Sequence, residues 1–213
     1  MRLDRILDHY HSRIDPTRES FDVLDWGSRT EQEARFRVLR DALFEEGIAD
    51  PSARRELSVL DVGCGLGDLH GFLGEHVDEL RYVGVDISPA LLREARTRRR
   101  DTHFVLADVF RAPPFRARQF DIVFCSGVFN LKLGNNEEFA AAALPRLYDL
   151  CARAVMVNFL HERTQERYEH CWYYSPRQLV AALPERMRHV RVIDDYLDKD
   201  FSLLVKRPPA DTA

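Results

Sequence analysis

The residues best suited to hold a ligand stand in one short run, Val59-Leu60-Asp61-Val62-Gly63-Cys64-Gly65-Leu66-Gly67-Asp68. An apolar strand here runs into a glycine-rich turn and then into a helix. Glycines permit a sharp turn and let a ligand lie directly against the backbone. The helix that follows offers free N–H groups at its start. Two further acids fall at regular intervals. Asp86 ends the next apolar run, about 20 residues on, where a carboxylate can accept both hydroxyls of a ribose. Asp108 ends a third run (FVLADVF), where side chain and backbone can address an adenine. A fourth run ends in Cys125-Ser126-Gly127 and opens a crevice for the reacting end of the ligand. Ile87 and Val109, the neighbours of the two acids, flank the same site.

These residues need a parallel sheet to bring them together. Strands are expected at residues 58–62, 81–86, 103–107, 120–125, 154–159, 190–194 and 201–206. Amphipathic helices lie between the early ones. Ser88-Pro89 is an N-cap followed by proline at the first helical position, and further helices start near Asn136 and at Ser175-Pro176. Strand–helix alternation makes an α/β fold, doubly wound, with helices on both faces of a mostly parallel sheet. The last two strands are separated by a short stretch and are expected to pair antiparallel at one edge. Ahead of the sheet, Leu3, Ile6, Leu7, Tyr10 and Ile14 form one apolar helical stripe, stopped by Asp15-Pro16. A second helix is expected from Thr30, with Thr30 and Glu33 as a capping box and Gly47 as terminator. It directs Ala34, Val38, Leu39, Ala42 and Leu43 inward. The division is therefore an N-terminal helical cap, 1–47, and a sheet domain, 48–213.

Two ligands fit such a crevice, a dinucleotide and S-adenosylmethionine. The dinucleotide fingerprint is GxGxxG, with a pyrophosphate on the helix N-terminus. Here the spacing is GxGxG, and Asp61 precedes it. An acid there repels a diphosphate and attracts a ligand that carries an ammonium and a sulfonium. The successive motifs DVGCGLGDL, VGVDIS, LADVF and FDIVFCSGVFN resemble those of the class I (Rossmann-like) S-adenosylmethionine-dependent methyltransferases, closely over residues 57–131 and more loosely beyond. The resemblance implies a seven-stranded sheet whose last strand is antiparallel. It assigns Gly63, Gly65 and Gly67, with Cys64, to the methionine-side loop, Asp86 to the ribose and Asp108 to the adenine. It sets Ser126 and Gly127 beside the sulfonium. In that class the segment before the first strand commonly folds over the cofactor. Tyr10, Trp26 and Arg35 are the candidates here, Arg35 as a bidentate partner for the carboxylate unless it is a surface arginine of its helix.

Methyl transfer is an in-line displacement that relies on positioning, and a base is needed only for a nucleophile that holds its proton tightly. Candidate acceptor-side residues end the later strands. They are Phe129 and Asn130 after the fourth, and Asn158 and His161 at the fifth. The segment His170-Cys171-Trp172-Tyr173-Tyr174 forms an aromatic wall or lid. Phe129, Asn158, Trp172, Tyr173 and Tyr174 are assigned to substrate. His161, as general base, and Asn130 are assigned to catalysis. No metal is expected: His161, Glu162 and His170 lack a ligand spacing, and asparagines stand where metal-dependent relatives carry acids.

The chain of 213 residues is 45% hydrophobic and 31% charged, with a net charge of −4. No run approaches the roughly 18 apolar residues of a membrane span. The charged N-terminus does not read as a secretory signal, and four scattered cysteines point to reduced thiols and a cytoplasmic setting. The expected partner is a small-molecule methyl acceptor, with no membrane, nucleic acid disfavoured, and the chain a monomer or homodimer. The tetrapeptide typical of amino-methylating nucleic-acid enzymes is absent after the fourth strand, where FNLK stands. Three alternatives remain open. One is an RNA or protein methyltransferase that docks through the basic run Arg93–Arg100. Another is a non-catalytic S-adenosylmethionine-binding protein whose cap closes the crevice. The third is a nucleotide-dependent oxidoreductase, which the glycine spacing disfavours.

Overall fold

The computed structural model describes residues 3–49 and 55–208. The side chain of Leu3, first in the expected stripe, lies outside the described residues. Helices α1 (Leu3–His11), α2 (Ser20–Val23) and α3 (Arg29–Glu45) precede strand β1 (Leu57–Val62). Then follow α4 (Asp68–Gly74), β2 (Leu80–Asp86), α5 (Pro89–Arg98), β3 (His103–Leu106) and β4 (Phe120–Cys125). The chain continues through α6 (Asn136–Leu150), β5 (Cys151–Leu160), α7 (Pro176–Ala181), β6 (Val190–Ile193) and β7 (Asp200–Lys206).

The seven strands form one sheet in the order β3-β2-β1-β4-β5-β7-β6. All neighbours pair parallel except β7, which is antiparallel to both β5 and β6. The chain winds outward from β1 in one direction and then restarts at β4 in the other. The C-terminal ends of β1 and β4 therefore flank a crevice that no crossover helix fills, the usual place for a ligand in such sheets.

Every residue of β1 is buried, as a central strand covered on both faces requires. Its alternate residues feed two cores. Val59 packs with Phe36, Leu39 and Leu43 of α3 and Leu69 and Leu73 of α4. Leu60 and Val62 pack with Ala140, Leu144 and Leu147 of α6 and with Phe159 and Phe201. A smaller cluster of Val23, Leu66 and Leu91, with Tyr10, Ile14 and Leu24 against it, holds the first two helices over α5.

Two local expectations are corrected. Helix α3 begins at Arg29, and its N-cap is Ser28, whose hydroxyl accepts from Glu31 N at 3.2 Å. Ser28-x-x-Glu31 has the same spacing as Thr30-x-x-Glu33 two residues earlier, and the earlier pair supplies the cap. Strand β5 begins at Cys151, three residues before the expected start, because Phe120 of β4 extends the ladder to it. Gly47 does end α3, in a left-handed conformation (φ +60°).

Candidate active site

The loop from β1 to α4 is fixed by its neighbours. The N–H groups of Gly63 and Cys64 both donate to Val85 O, at 2.8 and 3.1 Å, so the turn is stitched to β2. Gly65 has φ +54°, and a Cβ there would lie 2.6 Å from Leu24 Cδ2. Any side chain would therefore be strained in its backbone and would strike the segment above it. Asp86 closes the arrangement: its carboxylate accepts from Gly65 N at 3.0 Å and from Ser88 N at 2.8 Å. Burial pushes its carboxyl up, and the backbone donors pull it back.

A cleft of about 840 Å³, open to solvent, runs along these elements. Its floor is Val62, Gly63, Gly65 and Asp86, one side is Ile87, Val109 and Phe110, and the far end is Ser126 and Gly127. Ile6, Leu7 and Tyr10 of α1, with Leu24 and Trp26, close it from above. Trp26 rests on Gly127, where a Cβ would come within 2.8 Å of its ring. Asp61 lines a small adjoining cavity with Cys64, Trp26 and Ser126. It accepts from Tyr82 Oη at 2.6 Å, and burial raises its carboxyl to about 7, against the pull of Tyr82.

This lining fits the ligand expected from the sequence. A bare glycine backbone leaves room, a buried carboxylate keeps lone pairs free for ribose hydroxyls, and a buried acid at the closed end awaits a cation. Asp108 differs from expectation in detail. It is absent from the cleft wall, and its Oδ1 caps the turn after β3 by accepting from Phe110 N (3.0 Å) and Arg111 N (3.2 Å). The adenine side is left to apolar Ile87, Val109 and Phe110.

Arg35 is not on the surface. It is 2% exposed and forms an ion pair with Asp200, which is fully buried. It also donates to Glu31 O at 2.7 Å, and its guanidinium lies 4.3 Å from the centre of the Trp26 ring. Arginine stacks well on indole, so Arg35 supports the residue that roofs the cleft. Asp68 ties the same region together, accepting from Ser20 Oγ, Gln32 Nε2 (3.0 Å) and Arg99.

A second cleft adjoins the first and shares Tyr10, Leu24, Trp26, Gly127 and Leu131 with it. Two residues assigned to the acceptor side line it. Asn130 presents an Oδ1 with no hydrogen-bond partner among the described residues, while its backbone O accepts from Trp172 N at 2.8 Å. Tyr173 is held by its hydroxyl, which accepts from Tyr168 N at 2.8 Å.

The other assignments are corrected by burial. Phe129 is fully buried in the α6 core, its ring tilted against those of Phe139 and Phe159. Tyr174 is likewise core, edge-on to Phe159. Asn158 is fully buried and donates to Tyr196 Oη at 2.9 Å, with its Oδ1 accepting from Ser126 Oγ at 3.4 Å. Trp172 is half-buried against the α6 core, lines neither cleft and donates from Nε1 to Glu137 at 3.1 Å. His161 lines neither cleft; its Nδ1 accepts from Arg163 N at 3.2 Å and its Nε2 is 3.8 Å from Asp194. In its place the second cleft gathers His170, from the expected lid segment, with His9, Asp25 and Lys199, which have no assignment from the sequence. His9 and Asp25 are sixteen residues apart and share no local motif, so only the packing of α1 reveals them.

Among the described residues no group of three or more His, Cys, Asp or Glu is placed to hold a metal ion, and no helix is long and apolar enough to cross a membrane.

Comparison with known proteins bears on the ligand. Residues 59–165, which carry the glycine loop and both clefts' strand ends, match the methyltransferase domain family. The putative methyltransferase Rv1506c of Mycobacterium tuberculosis is 28% identical over 169 residues, covering 75% of this chain and 95% of that protein. The trans-aconitate 2-methyltransferase of Rhodopseudomonas palustris is 36% identical over 99 residues, 46% of this chain but only 36% of that protein, so the chain spans about a third of its length. Among solved structures, magnesium protoporphyrin IX methyltransferase from Synechocystis, with S-adenosylhomocysteine bound, superimposes with a TM-score of 0.65 over 96% of this chain and 97% of that one, at 16% identity. The chain therefore belongs to the methyltransferase domain family and is an S-adenosylmethionine-dependent methyltransferase of the class I, Rossmann-like kind.

Proposed function

We propose that the methyl acceptor is a small molecule bound in the second cleft. The observation that carries this reading is the joining of the two clefts through Tyr10, Leu24, Trp26, Gly127 and Leu131, under a roof of α1 and the segment that follows α2. A cleft covered by α1 and the Asp25–Trp26 segment suits a compact acceptor better than a polymer strand. The basic run supports the same reading. Arg96 donates to Phe104 O, Arg98 to Glu94 and Arg18 O, and Arg99 to Asp68, so three of its five arginines tie elements of the fold together. Relatives named for trans-aconitate and magnesium protoporphyrin IX agree with it.

In this reading S-adenosylmethionine supplies a methyl group made electrophilic by the sulfonium that carries it. Asp86 orients the ribose, and Ile87, Val109 and Phe110 hold the adenine face. Asp108 stands just behind them. Gly63, Cys64, Gly65 and Gly67 frame the methionine end, and Asp61 faces its ammonium. Ser126 and Gly127 line the junction with the acceptor. Trp26, braced by Arg35, excludes water from it. Asn130 and Tyr173 offer polar contacts to the acceptor. Residues 1–47 act as a cap on a catalytic part, 48–213.

The test is the partition of label. Purified protein, methyl-labelled S-adenosylmethionine and a bacterial cell extract are incubated together, and the low-molecular-weight, RNA and protein fractions are counted separately. Label in the small-molecule fraction is expected. Label confined to RNA or protein would refute the reading.

A further inference from the structure

The acceptor cleft contains a group of titratable residues for which simple positioning of a nucleophile has no use. Three separate segments supply them. His9 comes from α1, Asp25 from the turn after α2, and His170 from the loop before α7. Asp25 stands at the centre. Its Oδ2 is 3.0 Å from His9 Nε2 and 3.7 Å from His170 Nε2, and its Oδ1 is 2.6 Å from the Arg13 guanidinium. The two imidazoles face each other with ring centres 5.5 Å apart. Asp25 is held at φ +60°, a left-handed conformation that non-glycine residues rarely adopt. The hydrogen bond from His9, with Arg13 and His170 beside it, holds the Asp25 carboxyl below its ordinary range.

An ionised Asp25 decides which nitrogen of His9 carries the proton. Nε2 faces the carboxylate and must donate to it, so the neutral ring keeps its lone pair on Nδ1. Among the described residues nothing hydrogen-bonds to that Nδ1. The remaining groups around the cluster do not compete for the proton. Tyr10 and Cys171 are both pushed up by burial and by the charge of Asp25, Cys171 to about 11. Lys199 is paired with Glu31 at 2.6 Å. Glu166 and Tyr168 line the outer cleft, and the Tyr168 ring lies 5.8 Å from that of His170.

We propose that His9 is the general base of the transfer and Asp25 its positioning residue, so that the acceptor attacks through a hydroxyl, alcoholic or phenolic, rather than through a carboxylate. A carboxylate is already ionised and needs no base; a hydroxyl does. His9 Nδ1 takes the hydroxyl proton while the oxygen's electron pair forms the bond to the methyl carbon. The pair of the broken carbon–sulfur bond returns to sulfur, which becomes a neutral thioether. The imidazolium then gives its proton to water at the cleft mouth. The proposal rests on the small-molecule reading above.

The test has three readouts. Full-length protein labelled with ¹⁵N-histidine and saturated with S-adenosylhomocysteine is titrated, and the tautomer of His9 is read in the wild type and in Asp25→Asn. A neutral His9 protonated on Nε2, with the preference lost in Asp25→Asn, is expected. A neutral ring protonated on Nδ1, or a ring still cationic at about pH 9, overturns the proposal, because either one cannot accept a proton from the cleft. Methyl transfer to phenol, benzyl alcohol and benzoate is measured alongside. His9→Gln is expected to lower kcat for the hydroxyl probes by about 100-fold or more, with KM little changed and the rise of rate with pH abolished. Activity of His9→Gln within about threefold of wild type, a loss found in His170→Gln instead, or methylation of benzoate alone overturns it. If no probe is methylated, the tautomer decides. Calorimetry with S-adenosylhomocysteine separates the two failures: the variants are expected to bind like wild type, and a wild type that does not bind refutes the cofactor site and not the role of His9.

Discussion

Asp61 offers a prediction whose size follows from its surroundings. Its carboxyl is 5% exposed, hydrogen-bonded among the described residues only by Tyr82, and raised by burial from 3.8 to about 7. At about 1.4 kcal/mol per tenfold change, that difference corresponds to roughly 4 kcal/mol against the ionised form. The folded chain therefore holds a proton that the unfolded chain has released. In the ligand-free protein this contribution to stability is fully present below about pH 4 and is lost as pH rises toward about 7. A ligand ammonium beside Asp61 reverses the preference, because it pairs with the ionised form. Only about one molecule in eleven has Asp61 ionised at pH 6, and nearly all do at pH 8, so S-adenosylhomocysteine is expected to bind about tenfold more tightly at the higher pH. Calorimetry at pH 6 in two buffers of different ionisation enthalpy counts the protons released, and close to one is expected. Asp61→Asn is expected to bind more weakly, to release no proton at that pH and to lose the pH dependence. Equal proton release by wild type and variant would refute this reasoning.

Asp86→Ala removes the acceptor for the ribose hydroxyls and the clasp between Gly65 N and Ser88 N. Two hydrogen bonds to a charged group, at about 1.5 kcal/mol or more each in net terms, amount to a loss of S-adenosylhomocysteine affinity of about 150-fold or more, which calorimetry reads. Gly65→Val sets a branched side chain at φ +54° and against Leu24, so a correctly folded variant is expected to show no measurable cofactor binding and a lowered Tm. Arg35→Ala leaves Asp200 buried without its partner and is expected to cost about 3–5 kcal/mol in urea unfolding, whereas Arg35→Met with Asp200→Leu should recover most of it.

What the sequence makes legible is what neighbouring residues encode. The glycine loop, the ends of β1, β2 and β4, and the antiparallel β7 all follow from apolar runs and turn residues within a few positions of one another. Gly63, Gly65, Asp86, Ser126 and Gly127 accordingly converge on one cleft. The acceptor side is less legible because burial there is decided by register across the sheet. Phe129 follows the fourth strand, Asn158 lies near the end of the fifth and Tyr174 closes the expected lid segment, yet each turns into the core, while Asn130 and Tyr173, the immediate neighbours of Phe129 and Tyr174, face the cleft. Histidine position misleads in the same way. His161, next to Glu162 in sequence, is tucked under Arg163, and His9, next to Asp8 in sequence, pairs instead with Asp25, sixteen residues away, through the fold. Local sequence offers Arg35 only the cofactor carboxylate or the surface; its pairing with Asp200, 165 residues away, has no trace there.

The most direct measurement is isothermal titration of the purified protein with S-adenosylhomocysteine, with NAD as control and the denatured sample checked by mass spectrometry for cofactor carried through purification. Micromolar binding of S-adenosylhomocysteine at one site per chain, absent in Gly65→Val and absent for NAD, is the expected result. Binding of NAD in its place, or no binding of S-adenosylhomocysteine to protein shown to be free of cofactor, would contradict the assignment of the glycine-loop cleft.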